Sequence, residues 1–123
     1  MSDRVKWITH KGVKMIQADY SGLPEAEYCS TMDEVTALLR NEPSDSLALV
    51  MANVSNTHAS NKVRDKGKEV AEAMDRFKGH AYAVVGVTGI MKVIAKTFVR
   101  SIYFADNEED AKDHLVRQAQ QGN

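Results

Sequence analysis

Two short stretches of the chain are apolar almost without interruption, and they constrain its fold more than any other feature. Residues 47–54 read L-A-L-V-M-A-N-V, and residues 81–87 read A-Y-A-V-V-G-V. Neither stretch alternates between apolar and polar side chains, so both are predicted to be strands that are covered on two faces. Strands of this kind, separated by helices, predict a parallel sheet with right-handed crossovers.

Between and beyond these strands, apolar residues recur at the three- and four-residue spacing of amphipathic helices. The first stripe follows Pro24, which suits the first turn of a helix, and it ends before Pro43. In the second stripe, Gly67 is expected to allow a neighbouring element to approach closely. The three stripes are, in chain order, Tyr28, Met32, Val35 and Leu39; Val63, Gly67, Val70, Met74 and Phe77; and Ile90, Val93, Ile94, Thr97 and Phe98.

The two ends of the chain add a hairpin, a strand and a helix. Residues 5–9 and 13–20 are rich in β-branched and aromatic residues, and the turn between them contains a glycine, which predicts an N-terminal hairpin. Residues 102–104 are a short apolar strand. Asp106 and Glu109 then have the spacing of a capping box, which predicts the start of a last helix.

The predicted order is therefore β-β-α-β-α-β-α-β-α, in a single α/β domain over residues 1–123. The sheet is mixed but mostly parallel, with the N-terminal hairpin as its antiparallel part. A chain of 123 residues can bury a core without disulfides or metals. Cys29 is the only cysteine, which excludes an intramolecular disulfide and a cysteine-based zinc site, and we expect a half-buried thiol.

The segment A-Y-A-V-V-G-V-T-G-I-M-K-V-I-A-K, followed by I-Y-F-A-D-N-E-E-D-A-K-D-H-L, resembles the SpoIIAA-like branch of the STAS superfamily. Domains of that branch typically carry an A-V-V-G-x-x-G strand-turn-helix, then a short strand ending in Phe and an acidic helix start. The order of elements matches over nearly the whole chain, and His114 stands where the family usually has Trp. The resemblance implies a STAS-type fold and a bacterial regulatory or binding domain, in a branch whose roles are mostly unknown.

The resemblance also implies a modification site and an alternative function. Better-known STAS members are anti-sigma-factor antagonists, in which a partner kinase phosphorylates a serine of an Asp-Ser-Ser-Gly stretch at the start of the second helix. The corresponding region here reads N-V-S-N-T-H-A-S-N and lacks that motif, which leaves Ser60 or Thr57 as the implied phosphorylation site. Some relatives are compared with CRAL-TRIO domains, which share the topology and hold apolar ligands, so binding of an apolar ligand or lipid is the alternative.

Two loops that follow the buried strands form the candidate binding site. In open α/β sheets, ligands bind beyond the carboxyl ends of the parallel strands, and both loops are expected there, side by side. Hydroxyl, amide and imidazole groups of the first loop suit a polar ligand or a protein partner. The predicted binding residues are Ser55, Asn56, Thr57, His58, Ser60, Gly86, Thr88 and Gly89.

Each loop also has a purely structural interpretation. In the first loop, Thr57 or Ser60 caps the second helix. In the second, Gly86 allows close packing, Thr88 caps the third helix and Gly89 permits a sharp entry to it, with weak anion binding by free N–H groups as the functional alternative. Only two residues separate the glycines, and a third glycine is lacking, which excludes the Walker and Rossmann fingerprints.

No residue set in the chain predicts catalysis. The histidines show no metal-ligand spacing such as H-E-x-x-H, and His10 and His80 are expected in turns. The chain has no Gly-x-Ser-x-Gly elbow, and no base is oriented by a third group. We therefore predict a non-enzymatic domain without a metal or cofactor, and a small enzyme that uses the polar loop is the least favoured alternative.

Charge and hydropathy bound the partners. A net charge of −1 and an isoelectric point near 6.4 argue against a nucleic-acid binder. The basic residues of 62–68 and 92–100 are interpreted as solvated faces, with a groove for an acidic partner or lipid headgroup as the alternative. The longest apolar run is too short to cross a bilayer and the N-terminus has no apolar signal region, so we expect a cytoplasmic protein. The expected partner is a protein or a small or apolar ligand, and a homodimer stays open.

Overall fold

A computed structural model describes residues 3–58, 60–87 and 102–121 of the chain. Its elements, in chain order, are β1 (Val5–His10), β2 (Val13–Asp19), α1 (Glu25–Arg40), β3 (Leu47–Asn53), α2 (Asn61–Asp75), β4 (Gly79–Val85), β5 (Ile102–Ala105) and α3 (Glu108–Gln121). The helix predicted around Ile90 and the basic residues of 92–100 lie outside the described residues.

The strands form one five-stranded sheet in the order β1-β2-β3-β4-β5. β1 pairs antiparallel with β2, and each later pair of neighbours is parallel. The mixed α/β sheet with an N-terminal hairpin is therefore confirmed. Lys11 and Gly12 form the hairpin turn, and both have positive φ, 51° and 80°, as a two-residue turn between twisted strands requires.

Alternate side chains of β3 point into two different cores, one on each face of the sheet. Ala48, Val50 and Ala52 belong to the core that α1 and α2 cover. Leu49 and Met51 belong to the core that α3 covers. The prediction that the central strands are covered on both faces is confirmed.

The first two helices follow their predicted stripes. α1 begins after Pro24 and ends before Asn41, and its predicted inward residues Tyr28, Met32, Val35 and Leu39 are all buried. In α2 the predicted residues Val63, Val70 and Met74 are buried, and so is Phe77 just beyond the helix end. None of the helices in the described ranges has both the length and the apolar character that crossing a bilayer would demand.

The cap of α3 differs from the prediction by one residue. The helix begins at Glu108, and the side chain of Asn107 accepts a hydrogen bond from the backbone N–H of Asp110 at 2.8 Å. The predicted capping pair, Asp106 and Glu109, is therefore wrong. β5 extends to Ala105, one residue farther than predicted, and this moves the turn into the helix along the chain.

His10 and His80 both lie in strands, so their predicted position in turns is wrong. His10 is the last residue of β1 and pairs with Val13. His80 pairs with Ala48, because β4 begins at Gly79, opposite the first residue of β3. The pairing of β3 with β4 includes the first residue of β3. β4 therefore begins at Gly79, before the apolar run that starts at Ala81 in the sequence.

Gly67 occupies the middle of α2, and no described residue makes the close approach expected there. A Cβ atom built at Gly67 would meet no atom of the described residues within 4 Å. The glycine therefore lowers helix stability without any packing benefit in the described part of the chain.

We expect Gly67→Ala to raise the free energy of unfolding by about 0.5–1 kcal/mol, since alanine is the better helix former and restricts the unfolded chain. Urea denaturation followed by circular dichroism measures the change. The matched control is Gly22→Ala, which also meets no atom within 4 Å but has a φ of +70° and should lower stability. A loss of stability in Gly67→Ala would show that another surface does pack on this glycine.

Candidate functional site

The loops after β2, β3 and β4 lie side by side at the carboxyl edge of the sheet. Two backbone hydrogen bonds continue the ladder past the strands. The N–H of Tyr20 donates to the carbonyl of Asn53 at 2.8 Å, and the N–H of Val54 donates to the carbonyl of Val85 at 2.9 Å. The predicted neighbourhood of the two loops is therefore confirmed for their described residues.

Ser55 is held between its two neighbouring loops. Its carbonyl accepts a hydrogen bond from the N–H of Gly22 at 2.9 Å. On the other side lies Gly86, with a φ of +90°, where a Cβ atom would come within 2.8 Å of the Ser55 Cα and N atoms and closer still to its Oγ. Only glycine fits there, so the predicted close packing at Gly86 is confirmed.

The side chains of Asn53, at the end of β3, and of Thr57, in the loop that follows, hold this loop in place. Asn53 accepts from the N–H of Ser55 through Oδ1 and donates through Nδ2 to Glu108 Oε2 at the start of α3, both at 3.0 Å. Thr57 donates through Oγ1 to the carbonyl of Val54 at 2.6 Å. The loop is thus tied both to its own backbone and to the helix on the far face of the sheet.

Ser60, another of the predicted binding residues, is the N-cap of α2. Its hydroxyl accepts from the N–H of Val63 at 3.3 Å, and its carbonyl accepts from the N–H of Arg64 at 3.0 Å. Of the two caps that the sequence left open, Ser60 caps the helix and Thr57 does not. The half-buried Ser60 hydroxyl thus has a structural role whether or not it is modified.

We expect Ser60→Ala to lower the free energy of unfolding by about 1 kcal/mol, because an N–H in the first turn of α2 loses its acceptor. Ser60→Asp should stay near the wild-type value, since its carboxylate caps the helix and its charge is favourable at a helix N-terminus. Thermal and urea denaturation of both variants test this. The control is Ser30→Ala on the surface of α1, where a change beyond about 0.5 kcal/mol would point to a general effect of serine removal.

Asn56 and His58 are the exposed side chains of this loop. Asn56 has a φ of 57°, a left-handed conformation that asparagine tolerates better than most residues. No described residue forms a hydrogen bond or ion pair with either side chain. An amide and an imidazole are therefore free to contact another molecule. The predicted Thr88 and Gly89 lie outside the described residues.

A cluster of three tyrosines lies beneath the edge, and sequence patterns did not reveal it. The Tyr20 ring stacks on the Tyr28 ring with centroids 4.8 Å apart. Burial, partly offset by the side chain of Thr57, raises the pKa of Tyr28 to about 12. Burial, followed by the neighbouring Tyr82, also raises the pKa of Tyr20 well above its ordinary value. The phenols therefore stay neutral at physiological pH.

The Tyr20 hydroxyl is fully buried and has no hydrogen-bond partner among the described residues. The Tyr82 phenol lies beside it, but the two hydroxyls do not meet in hydrogen-bond geometry. Leaving a buried hydroxyl unpaired costs about 1–3 kcal/mol. A buried, unpaired hydroxyl therefore lies beneath the candidate binding edge, and Arg64 Nε at the start of α2 is likewise buried without a partner among the described residues.

Arg4 and Asp19 close the first loop of the edge, a second feature that sequence patterns missed. The Arg4 guanidinium donates to the carbonyls of Asp19 and Ser21, each at 3.2 Å. The Asp19 carboxylate accepts from the Ser21 hydroxyl at 2.6 Å and from its N–H at 3.0 Å. These bonds fix the path of the chain from β2 into α1.

Cys29 is half-buried on α1, as predicted. Burial and, next, the Glu25 carboxylate raise the pKa of its thiol, while Lys66 opposes them. A cysteine nucleophile needs the opposite shift, together with a base at hydrogen-bond distance. Cys29 therefore lacks the activation that would make it a catalytic group.

The basic run at the start of α2 is partly neutralised. Lys66 lies 2.9 Å from a carboxylate oxygen of Asp33 on α1 and 3.4 Å from one of Glu69 on its own helix. The pair with Asp33 connects the two helices on one face of the sheet, and the pair with Glu69 lies within α2. Lys62 is exposed and lies in the first turn of α2, and this turn contains no acidic residue.

Comparison of the chain with models of protein families, with curated proteins and with solved structures gives no match. The resemblance to SpoIIAA-like domains therefore rests on the quoted sequence motifs alone.

Proposed function

We propose that the chain is a non-enzymatic binding domain whose carboxyl-edge loops engage a protein partner, in the manner of the SpoIIAA-like regulatory domains that it resembles. One observation carries the proposal. In the loop after β3, Thr57 and Ser60 bond to backbone groups, whereas Asn56 and His58 are exposed on the frame so formed. A fixed backbone presenting free polar side chains loses little conformational entropy when it binds.

The same geometry disfavours the enzymatic alternative. Catalysis by an imidazole base needs a third group that orients the ring, and His58 is exposed without such a contact among the described residues. The Cys29 thiol has a raised pKa, so it is a weak nucleophile. Exposed amide and imidazole groups suit reversible hydrogen bonding to a partner better than they suit bond cleavage.

Ser60 is the proposed regulatory position. A phosphate on its hydroxyl would add a charge of about −1.5 to −2 at the N-terminus of α2, where the helix dipole favours negative charge. Lys62 is exposed in the same helical turn, and no acidic residue occupies that turn. Intact-mass analysis of protein isolated from its own cells tests whether Ser60 is phosphorylated. Unmodified protein under all growth states would contradict the switch.

Affinity purification from the source cells, with the wild type, a double variant and a control variant as baits, tests the binding proposal. The double variant Asn56→Gly/His58→Ala removes both exposed side chains while glycine preserves the left-handed backbone at residue 56. Asp45→Ala, in the exposed loop before β3, is the matched control at the opposite edge. We expect a protein from the source cells to be retained by the wild type and the control and lost from the double variant. Retention independent of the two side chains would contradict the proposal.

The buried Tyr20 hydroxyl favours one second candidate, the binding of an apolar ligand with a polar group. The phenol belongs to the core that α1 and α2 cover, where Leu23, Val54 and Val87 are half-buried at the same edge. A ligand that donates to or accepts from the hydroxyl would offset the cost of its burial. Native mass spectrometry and solvent extraction of freshly purified protein distinguish this candidate, since only it requires a co-purified lipid or acyl compound.

A further inference from the structure

Three side chains of metal-ligating types meet where the N-terminal hairpin contacts α3. The Nε2 atom of His10 lies 2.9 Å from Asp113 Oδ1 and 3.6 Å from Glu109 Oε1. All three ligand atoms lie within 4.8 Å of one another. His10 and Asp113 are separated by 103 residues in the chain, so no short sequence motif could reveal the set.

The three side chains are held by rigid elements. His10 ends β1, directly before the two-residue turn, and its side chain is only 18% exposed. Glu109 and Asp113 lie one turn apart on α3, which is anchored by the fully buried Ala111 and Leu115. The packing of α3 on the sheet therefore fixes the backbone positions of the three residues, as a preorganised metal site requires, while the Glu109 side chain is 67% exposed and can adjust to an ion.

We propose that His10, Glu109 and Asp113 bind a divalent transition-metal ion, with Zn²⁺ as the best chemical match. Zinc takes nitrogen and oxygen ligands at about 2.0–2.2 Å in tetrahedral geometry, which places ligand atoms roughly 3.3 Å apart. The two separations from His10 Nε2, 2.9 and 3.6 Å, lie on either side of that value, and all three ligand atoms lie within 4.8 Å, so rotation of the exposed Glu109 side chain brings the set to zinc geometry. One imidazole and two carboxylates supply three ligands, and water completes the fourth position. The bound ion links the N-terminal hairpin to α3.

Lys11 competes for the site. Its ammonium nitrogen lies 2.9 Å from the same Asp113 oxygen, and its side chain is 59% exposed. A metal ion displaces this cation from Asp113, and the flexible lysine chain can turn into solvent. Lys11→Gln removes the competing charge and leaves the backbone strain of the turn unchanged, so it increases metal affinity. A merely adventitious site elsewhere on the surface would not respond to this change.

Calorimetric titration of tag-free, chelator-treated protein with Zn²⁺ tests the site, and Co²⁺ absorption reports its geometry. We expect one ion per chain and a raised melting temperature on binding. His10→Gln and Asp113→Asn retain hydrogen-bonding groups, so they should fold, and each should weaken binding at least about tenfold. Lys11→Gln should tighten it, and His58→Gln, an exposed histidine elsewhere, should leave it unchanged.

Two results would overturn the metal site. One is the absence of saturable Zn²⁺ binding to the wild-type chain. The other is binding that survives both His10→Gln and Asp113→Asn in folded protein, as checked by circular dichroism, since that binding would be located elsewhere.

Discussion

Gly86→Ala should lower the free energy of unfolding by about 3 kcal/mol. The residue has a φ of +90°, and an L side chain in a left-handed conformation costs roughly 1–2 kcal/mol. The new Cβ would also lie 2.8 Å from the Cα and N atoms of Ser55, and an overpacked contact against backbone costs a further 1–3 kcal/mol or so. Urea denaturation of the variant measures the sum.

Gly22→Ala separates the two contributions. Its φ of +70° resembles that of Gly86, but no atom lies within 4 Å of its added Cβ. We expect a loss of only about 1 kcal/mol, because backbone strain acts alone. Equal losses at the two positions would contradict the close contact between the Gly86 turn and Ser55. Adding Ser55→Gly to Gly86→Ala should recover only part of the loss, since the backbone contacts remain.

Leu115→Ala should lower the free energy of unfolding by about 2–5 kcal/mol. Leu115 is 0% exposed and belongs to the core between α3 and the sheet, so its truncation leaves a cavity as well as losing apolar burial. A loss of this size is expected because α3 is the described helix that covers this face of the sheet. Thermal denaturation measures this loss. Hydrogen exchange should also show reduced protection of amide hydrogens in α3 and β4 if the face opens locally.

The control deletes the same atoms from an exposed leucine. Leu47 is 37% exposed at the start of β3, so Leu47→Ala should change stability by no more than about 0.5 kcal/mol. A cost for Leu115→Ala as small as that of the control would mean that α3 does not pack on the second face.

The fold was predictable where burial leaves a pattern in the sequence, either a continuous apolar run or a helical spacing of apolar residues. The apolar run of β3 indicated a strand covered on two faces, and Tyr28 to Leu39 indicated the inward face of α1; both are confirmed. The cap of α3 was not predictable to the residue, because Asp106 with Glu109 and Asn107 with Asp110 have the same spacing. The role of Gly67 could not be predicted either, since the lack of a close neighbour among the described residues is a property of the tertiary packing.

The candidate site was predictable as a place and not as a set of contacts. The rule for parallel sheets placed the loops of Ser55 and Gly86 at one edge, and the backbone bonds there confirm it. Which side chains the loop itself would use could not be read from composition, because Thr57 and Ser60 are as polar as Asn56 and His58. The tyrosine cluster and the His10 set each join distant parts of the chain, so no local pattern marks them.

Site-specific photo-crosslinking in the source cells tests whether the carboxyl-edge loops bind a partner. A photoreactive amino acid at position 58 faces solvent beside Asn56, and the same residue at exposed position 45 probes the opposite edge. After irradiation of the source cells, we predict a discrete crosslinked product from position 58 that disappears when Asn56→Gly is added, and none from position 45. A product from position 45 alone, or from neither position, would contradict partner binding at the carboxyl edge.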